Sequence, residues 1–293
     1  MMDERIAVYL QSLTTQGKSK NTIDAYKRDL FKFQEFLKQE KLDISDFEEL
    51  QIVSYTEHLM DSGISKSSII RNLVTLRNFY KFLRRQGFVL EAPILYYELP
   101  HLDRDLPEIL TVDELKLILE APDRKSNKGL RDRAILELLY ATGLKVSELI
   151  SLKVMDVNLE KSYIICTGSK SKERLIPIGH PAVLALSAYL KIRSSMASEN
   201  TDFLFTSNQG ESITRQGVWK LLKNYKDSVG ITKDVTLNTL RHSFAVHLLE
   251  NGADMKDVSE MLGHTDISAT MRYEEMKRKN RLMEAYNKAH PRA

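Results

Sequence analysis

Apolar residues recur at helical spacing through most of the chain. Ile23, Tyr26, Leu30, Phe33, Phe36 and Leu37 fall on one face and predict an amphipathic helix, with Ser19 and Asn21 upstream as candidate caps. Residues 47–60 form a second helical run. A third spans 66–85, with Ile69, Leu73, Leu76, Tyr80 and Leu83 on one side. Beside that stripe Lys66, Arg77, Lys81 and Arg84 fall within roughly 60° of one another at about 100° per residue, which predicts a cationic edge.

The pattern then changes. Pro93, Pro100 and Pro107 punctuate a stretch holding Asp103, Arg104 and Asp105, and predict an extended linker over 91–105 between an N-terminal domain, 1–90, and a second domain, 106–293. Thr111-Val112-Asp113-Glu114 has capping-box form and opens a new helix. Helical runs follow at 132–140, from Lys145 to Leu152, and at 181–193, 215–228, 239–251, 257–262 and 268–276. The one clear β signal is 163–166 with 174–176, joined by Gly168-Ser169-Lys170-Ser171-Lys172, a hairpin with a lysine-bearing turn. The expected fold class is mainly α: a helical N-terminal domain, then a mixed α/β domain with a small antiparallel sheet.

Composition narrows the field without choosing a function. The 293 residues are 42% hydrophobic and 28% charged, which describes a folded chain. The net charge is only +3, and residues 1–105 hold 15 basic against 16 acidic side chains, so any nucleic-acid surface must come from sorting charges onto one face. The single cysteine, Cys166, excludes internal disulfides and cysteine-pair metal folds and fits the cytoplasm. No apolar run approaches a membrane span, and the opening residues predict no signal peptide. Gly17-Lys18-Ser19 resembles the end of a phosphate loop, but the glycine required five residues earlier is Ser12.

Four separated segments place chemistry-bearing groups at element ends: Lys145 with Glu148, Lys170 with Lys172, Asn238 with Arg241, and His264 followed by Tyr273. Singly, each is an ordinary surface or helix-end group. Together they are what cleavage of a phosphodiester without metal requires: fixed cations and donors for charge growing on non-bridging oxygens, and a side-chain oxygen that attacks in line. A tyrosine hydroxyl would give a covalent phosphotyrosine that keeps the energy for religation, so neither a nucleotide nor another cofactor is needed.

The segments Leu139-Tyr140-Ala141-Thr142-Gly143-Leu144-Lys145-Val146-Ser147-Glu148-Leu149, Thr239-Leu240-Arg241-His242-Ser243-Phe244-Ala245 and Leu262-Gly263-His264-Thr265-Asp266-Ile267-Ser268, followed by Tyr273, resemble the signature segments of tyrosine site-specific recombinases, the phage integrase family, and most closely its Xer group. Ser19, Thr22, Tyr26, Asp29 and Leu30 are similar to the first-helix pattern of that family's SAM-like core-binding domain. The resemblance implies a C-shaped clamp around duplex DNA. It implies a short, partly symmetric recombination site bound by two protomers, a tetramer of this chain or of this chain with a paralogue, and strand exchange through a Holliday junction, with a DNA translocase as a further partner. Tyr273 would be the nucleophile, Arg241 and His264 would bind the scissile phosphate, and Glu148 would support the first cationic residue. Lys170, with Lys172 second, would protonate the leaving 5′ oxygen. Lys66, Arg77, Lys81, Arg84, Lys172 and His242 are the expected DNA contacts.

Two positions depart from the family pattern. Lys145 stands where the family has arginine, which keeps charge and loses the planar two-pronged fork suited to phosphate. Asn238 stands where the family has histidine, and an amide donates a hydrogen bond but is no useful base near neutral pH. These changes predict slowed chemistry, or, in a competing reading, a DNA-binding accessory homologue. A type IB topoisomerase shares the phosphotyrosine step without pairing sites. Chromosome-dimer resolution and mobile-element integration both remain open within the family.

Overall fold

The computed structural model describes residues 3–100, 107–168, 173–198 and 201–264, and in the last helical stretch 270, 271, 273, 274 and 276–278. The chain divides into two compact units, Met1–Arg104 and Asp105–Ala293.

The first unit is built from α1 (Glu4–Thr15), α2 (Lys20–Glu40), α3 (Glu49–Asp61) and α4 (Lys66–Arg85). Ser19 caps α2 by accepting the Thr22 N–H at 3.2 Å. Helix α1 is absent from the expectations above, although Ile6, Tyr9, Leu10 and Leu13 make a buried i, i+3, i+4, i+7 stripe. Asp29 is buried on α2 and holds α4 in register, accepting from Arg71 Nη2 at 2.9 Å and Thr75 Oγ1 at 3.0 Å. Burial pushes its carboxyl up, against the pull of Arg71 and Thr75.

Two expectations in this unit are corrected. The segment after residue 91 is not an extended linker at its start, because Ala92 and Ile94 are buried in the first unit's core around a short 3-10 turn, Pro93–Leu95. Arg77 is not part of a solvent-facing cationic edge: its Nε donates to the Ile94 carbonyl at 3.2 Å and its Nη2 to that of Tyr97. The guanidinium satisfies backbone carbonyls of a chain reversal that has no ladder partner. Lys66, Lys81 and Arg84 are exposed on α4.

The second unit contains α5 (Val112–Glu120), α6 (Asn127–Thr142), α7 (Val146–Leu149), β1 (Val157–Asn158), β2 (Tyr163–Thr167), β3 (Glu173–Pro177), α8 (His180–Arg193), α9 (Arg215–Ser228), α10 (Leu237–Glu250) and α11 (Met255–Leu262). The Thr111 capping box is present in both directions, Glu114 N–H to Thr111 Oγ1 at 3.2 Å and Thr111 N–H to Glu114 Oε2 at 2.8 Å. The three strands pair antiparallel in the order β1-β2-β3, with Cys166 opposite Arg174 and Ile164 opposite Ile176. Helix α7 is a single turn, and the expected run from Lys145 to Leu152 stops at Leu149. Helix α6 is buried along most of its length, where Arg131 donates to Asp132 and Asp132 accepts the Tyr225 hydroxyl at 3.0 Å. Among the described residues no helix is long and apolar enough to cross a membrane.

Candidate active site

Two helix ends converge on Arg241. Helix α6 stops at Gly143, whose φ of +58° is the left-handed conformation that favours glycine. Helix α11 stops in the same way at Gly263, φ +64°, with the His264 N–H returning to the Ser259 carbonyl at 3.1 Å. Each end leaves carbonyls without a helical partner and carries partial negative charge. Arg241, buried on the second turn of α10, answers both. Its Nη1 donates to the Gly143 carbonyl at 2.6 Å and its Nη2 to the Leu262 carbonyl at 2.7 Å. Two of the five N–H donors of a guanidinium are thereby used to fix its position, and the two carbonyls leave the other three unused. Burial pulls the guanidinium down from its ordinary value, with Glu148 and Tyr273 opposing.

Tyr273 lies in the small core formed with Phe244, Leu249, Val258, Leu262 and Met276, only 2% exposed. Its hydroxyl is 2.9 Å from Nδ1 of His242, the residue after Arg241. The His264 ring lies nearly parallel to the Tyr273 ring, centroids 6.4 Å apart and planes at 19°, while His264 Nδ1 is 2.8 Å from Oγ1 of the buried Thr270. Asn238 is exposed on the first turn of α10. Its i, i+3 and i, i+4 spacing gives it the face of Arg241 and His242.

Glu148 meets Lys145 by a hydrogen bond from the lysine backbone, and the lysine charge also helps to hold the carboxyl down. Its Oε2 accepts the Lys145 backbone N–H at 3.0 Å, and both oxygens take the fork of Arg174, Nη1 to Oε1 at 3.1 Å and Nη2 to Oε2 at 2.7 Å. Arg174 Nε donates to the Met261 carbonyl at 2.9 Å. Burial pushes the Glu148 carboxyl up, but Arg174 and the Lys145 N–H outweigh it and hold the group below its ordinary range. A Cβ on Gly263 would sit 2.9 Å from Arg174 Nη1, so this glycine also permits a close approach. The Lys145 side chain is exposed at the entry to α7.

The structure thus brings Arg241, His242, His264, Tyr273 and Glu148 together, with Asn238 exposed on the same helix as Arg241 and His242. Lys170 and Lys172 lie outside the described residues. Arg174 is absent from the expected site. The signal for it is the strand alternation, which puts it on the inward face with Ile176 while Leu175 points out, 59% exposed. An inward charge requires a partner. Among the described residues no group of three or more His, Cys, Asp or Glu is placed to hold a metal ion.

The family model for phage integrases matches residues 108–280, more than half of the chain and all of this site. The chain belongs to the phage integrase family. The phage integrase N-terminal SAM-like domain matches residues 6–87. Relatives within the family include tyrosine recombinase XerD of Staphylococcus haemolyticus, 43% identical over 296 residues, and that of Staphylococcus epidermidis, 42% identical over the same length; each match covers 100% of both chains. The crystal structure of XerA recombinase is 29% identical with a TM-score of 0.55, over 99% of this chain and 100% of that one. XerH bound to its palindromic difH substrate, in a post-cleavage complex, has a TM-score of 0.78 at 22% identity, over 92% of this chain and 80% of that one, a likeness of fold.

Proposed function

We propose that this phage integrase family member is a site-specific DNA recombinase that cuts and rejoins duplex DNA through a 3′-phosphotyrosyl link at Tyr273. The observation that carries the reading is the clustering at one point of a fixed buried guanidinium, Arg241, and a tyrosine hydroxyl bracketed by His242 and His264. Tyr273 Oη attacks the scissile phosphorus and the bond to the 5′ oxygen breaks. Arg241 and His264 donate to the non-bridging oxygens, and the leaving oxygen takes a proton from a hairpin lysine, Lys170 first and Lys172 second. The returning 5′ hydroxyl reverses these events and needs no cofactor. Lys66, Lys81 and Arg84 contact the DNA backbone from the first unit.

The substrate is a short, partly symmetric duplex site bound by paired protomers, and two such sites join in a tetramer of this chain or of this chain with a paralogous recombinase. Full-length likeness to XerD relatives favours chromosome-dimer resolution in the cytoplasm over mobile-element integration. Lys145 and Asn238 slow the chemistry, because losing one well-placed donor in such a site costs on the order of 10² to 10³ in rate, and two such losses need not multiply. These two residues also favour the second reading, a DNA-binding accessory homologue.

The test is adduct formation on nicked suicide duplexes selected for tight binding by the chain from a randomised library. An adduct with the parent chain, absent in Tyr273→Phe, is the expected result. An adduct only in the Lys145→Arg, Asn238→His double variant supports the accessory reading, and DNA binding without any adduct in either protein refutes the assignment of the site.

A further inference from the structure

The family's second-motif histidine is Asn238 in this chain, so the position that would take the tyrosine proton has no base. An imidazole nevertheless touches the nucleophile. His242 Nδ1 lies 2.9 Å from the Tyr273 hydroxyl, with ring centroids 5.5 Å apart. His242 follows Arg241 directly on α10, and Arg241 is fixed by two carbonyls from other helix ends, so the backbone that carries the imidazole is held rigidly. Tyr273 is only 2% exposed, and the imidazole stands within hydrogen-bonding distance of its hydroxyl, in reach of the proton that attack must release.

We infer that His242 is the catalytic base of this chain, doing from the position after Arg241 what Asn238 cannot. The inference rests on the recombinase reading above. In the Nε2–H tautomer, Nδ1 accepts the Tyr273 proton as the Oη–P bond forms and the P–O5′ bond breaks. The leaving 5′ oxygen takes its proton from the hairpin ammonium, and both transfers reverse on religation. His242 is thereby reassigned from the DNA-contact role that the resemblance implies.

The test compares the parent chain with His242→Asn, whose amide oxygen keeps an acceptor near the place of Nδ1 but takes no proton. Single-turnover adduct formation on the selected nicked duplex and the dissociation constant for the same duplex are measured side by side, with melting temperature as the check on folding. The expected result is adduct formation slowed about 100-fold, with affinity held within threefold. Should His242→Asn fail to fold, the same two numbers are read from His242→Gln. Cleavage within threefold of the parent overturns the inference while leaving Tyr273 as nucleophile. Affinity that falls in step with the rate overturns it in favour of a DNA contact. A parent chain that binds the duplex and forms no adduct overturns the recombinase reading and this inference together.

Discussion

Replacing Arg174 by methionine keeps most of the aliphatic stem and removes the fork that pairs with Glu148. The two side chains are 10% and 7% exposed, so the carboxylate left behind is buried without its main partner. Removing one member of such a pair costs about 3–5 kcal/mol. For a unit of this size, at about 2–4 °C per kcal/mol, the melting transition of the second unit should fall by roughly 6–20 °C at pH 7.5. The pH dependence identifies the cause. In the parent chain Glu148 is held below its ordinary range, so its contribution is present above the unfolded value and lost as pH falls through the folded one. In Arg174→Met the burial that pushes the carboxyl up is no longer outweighed, and protonation relieves the variant as pH falls. The deficit should therefore narrow between pH 7.5 and pH 5. Glu148→Gln added to Arg174→Met should recover at least half of it. Calorimetry of the full-length chain reads all of these values. A loss under about 2 °C, or one of equal size at both pH values, would refute the reasoning.

Three further outcomes are expected. Lys145→Arg restores a planar fork at the entry to α7 and should speed single-turnover cleavage at least tenfold with little change in melting temperature; an unchanged rate would mean that this position does not touch the phosphate. Gly143→Ala places a Cβ 2.4 Å from Phe244 Cδ1 at a φ of +58°, so it should lower stability by about 2 kcal/mol or more and slow cleavage, because the Gly143 carbonyl anchors Arg241; denaturant titration and adduct assays check both. Burial, with Glu148 adding to it, pushes the Cys166 thiol up to about 12, so iodoacetamide at pH 8 should label the unfolded chain and leave the folded one unmodified, as mass spectrometry will show.

Local signals in the sequence were legible wherever a helix has one apolar face and a cap. The expected ends 66–85 and 215–228 coincide with α4 and α9, and the Thr111 capping box forms as expected. The hairpin was legible from its β-prone runs, whereas β1, only two residues long, carries no periodicity to detect. Helix α6 extends further at both ends than the expected 132–140, because a helix buried along most of its length has no continuous polar face to mark its ends. The remaining misses are non-local. Arg174 finds Glu148 across 26 residues, and Arg77 closes on carbonyls 17 and 20 residues away, so each charge looks solvated until the fold supplies its partner. The family motifs locate Tyr273, Arg241 and His264, but spacing alone does not reveal that His242, and not a residue one turn earlier, meets the tyrosine hydroxyl.

The two carbonyls on Arg241 change how a mutational scan of this enzyme must be interpreted. Kinetic practice would treat Arg241, proposed here to bind the phosphate, as a knob that turns chemistry alone, yet it is also the clasp on which two helix ends close. Truncating it would unsatisfy those carbonyls, loosen the ends of α6 and α11 and shift the backbone that carries the adjoining imidazole. A rate lost in Arg241→Ala therefore mixes electrostatics with architecture, and the arithmetic that converts it into transition-state stabilisation has no single referent. The phenol offers the smaller subtraction, since Tyr273→Phe deletes one oxygen and removes neither of the bonds from Arg241 to the helix-end carbonyls.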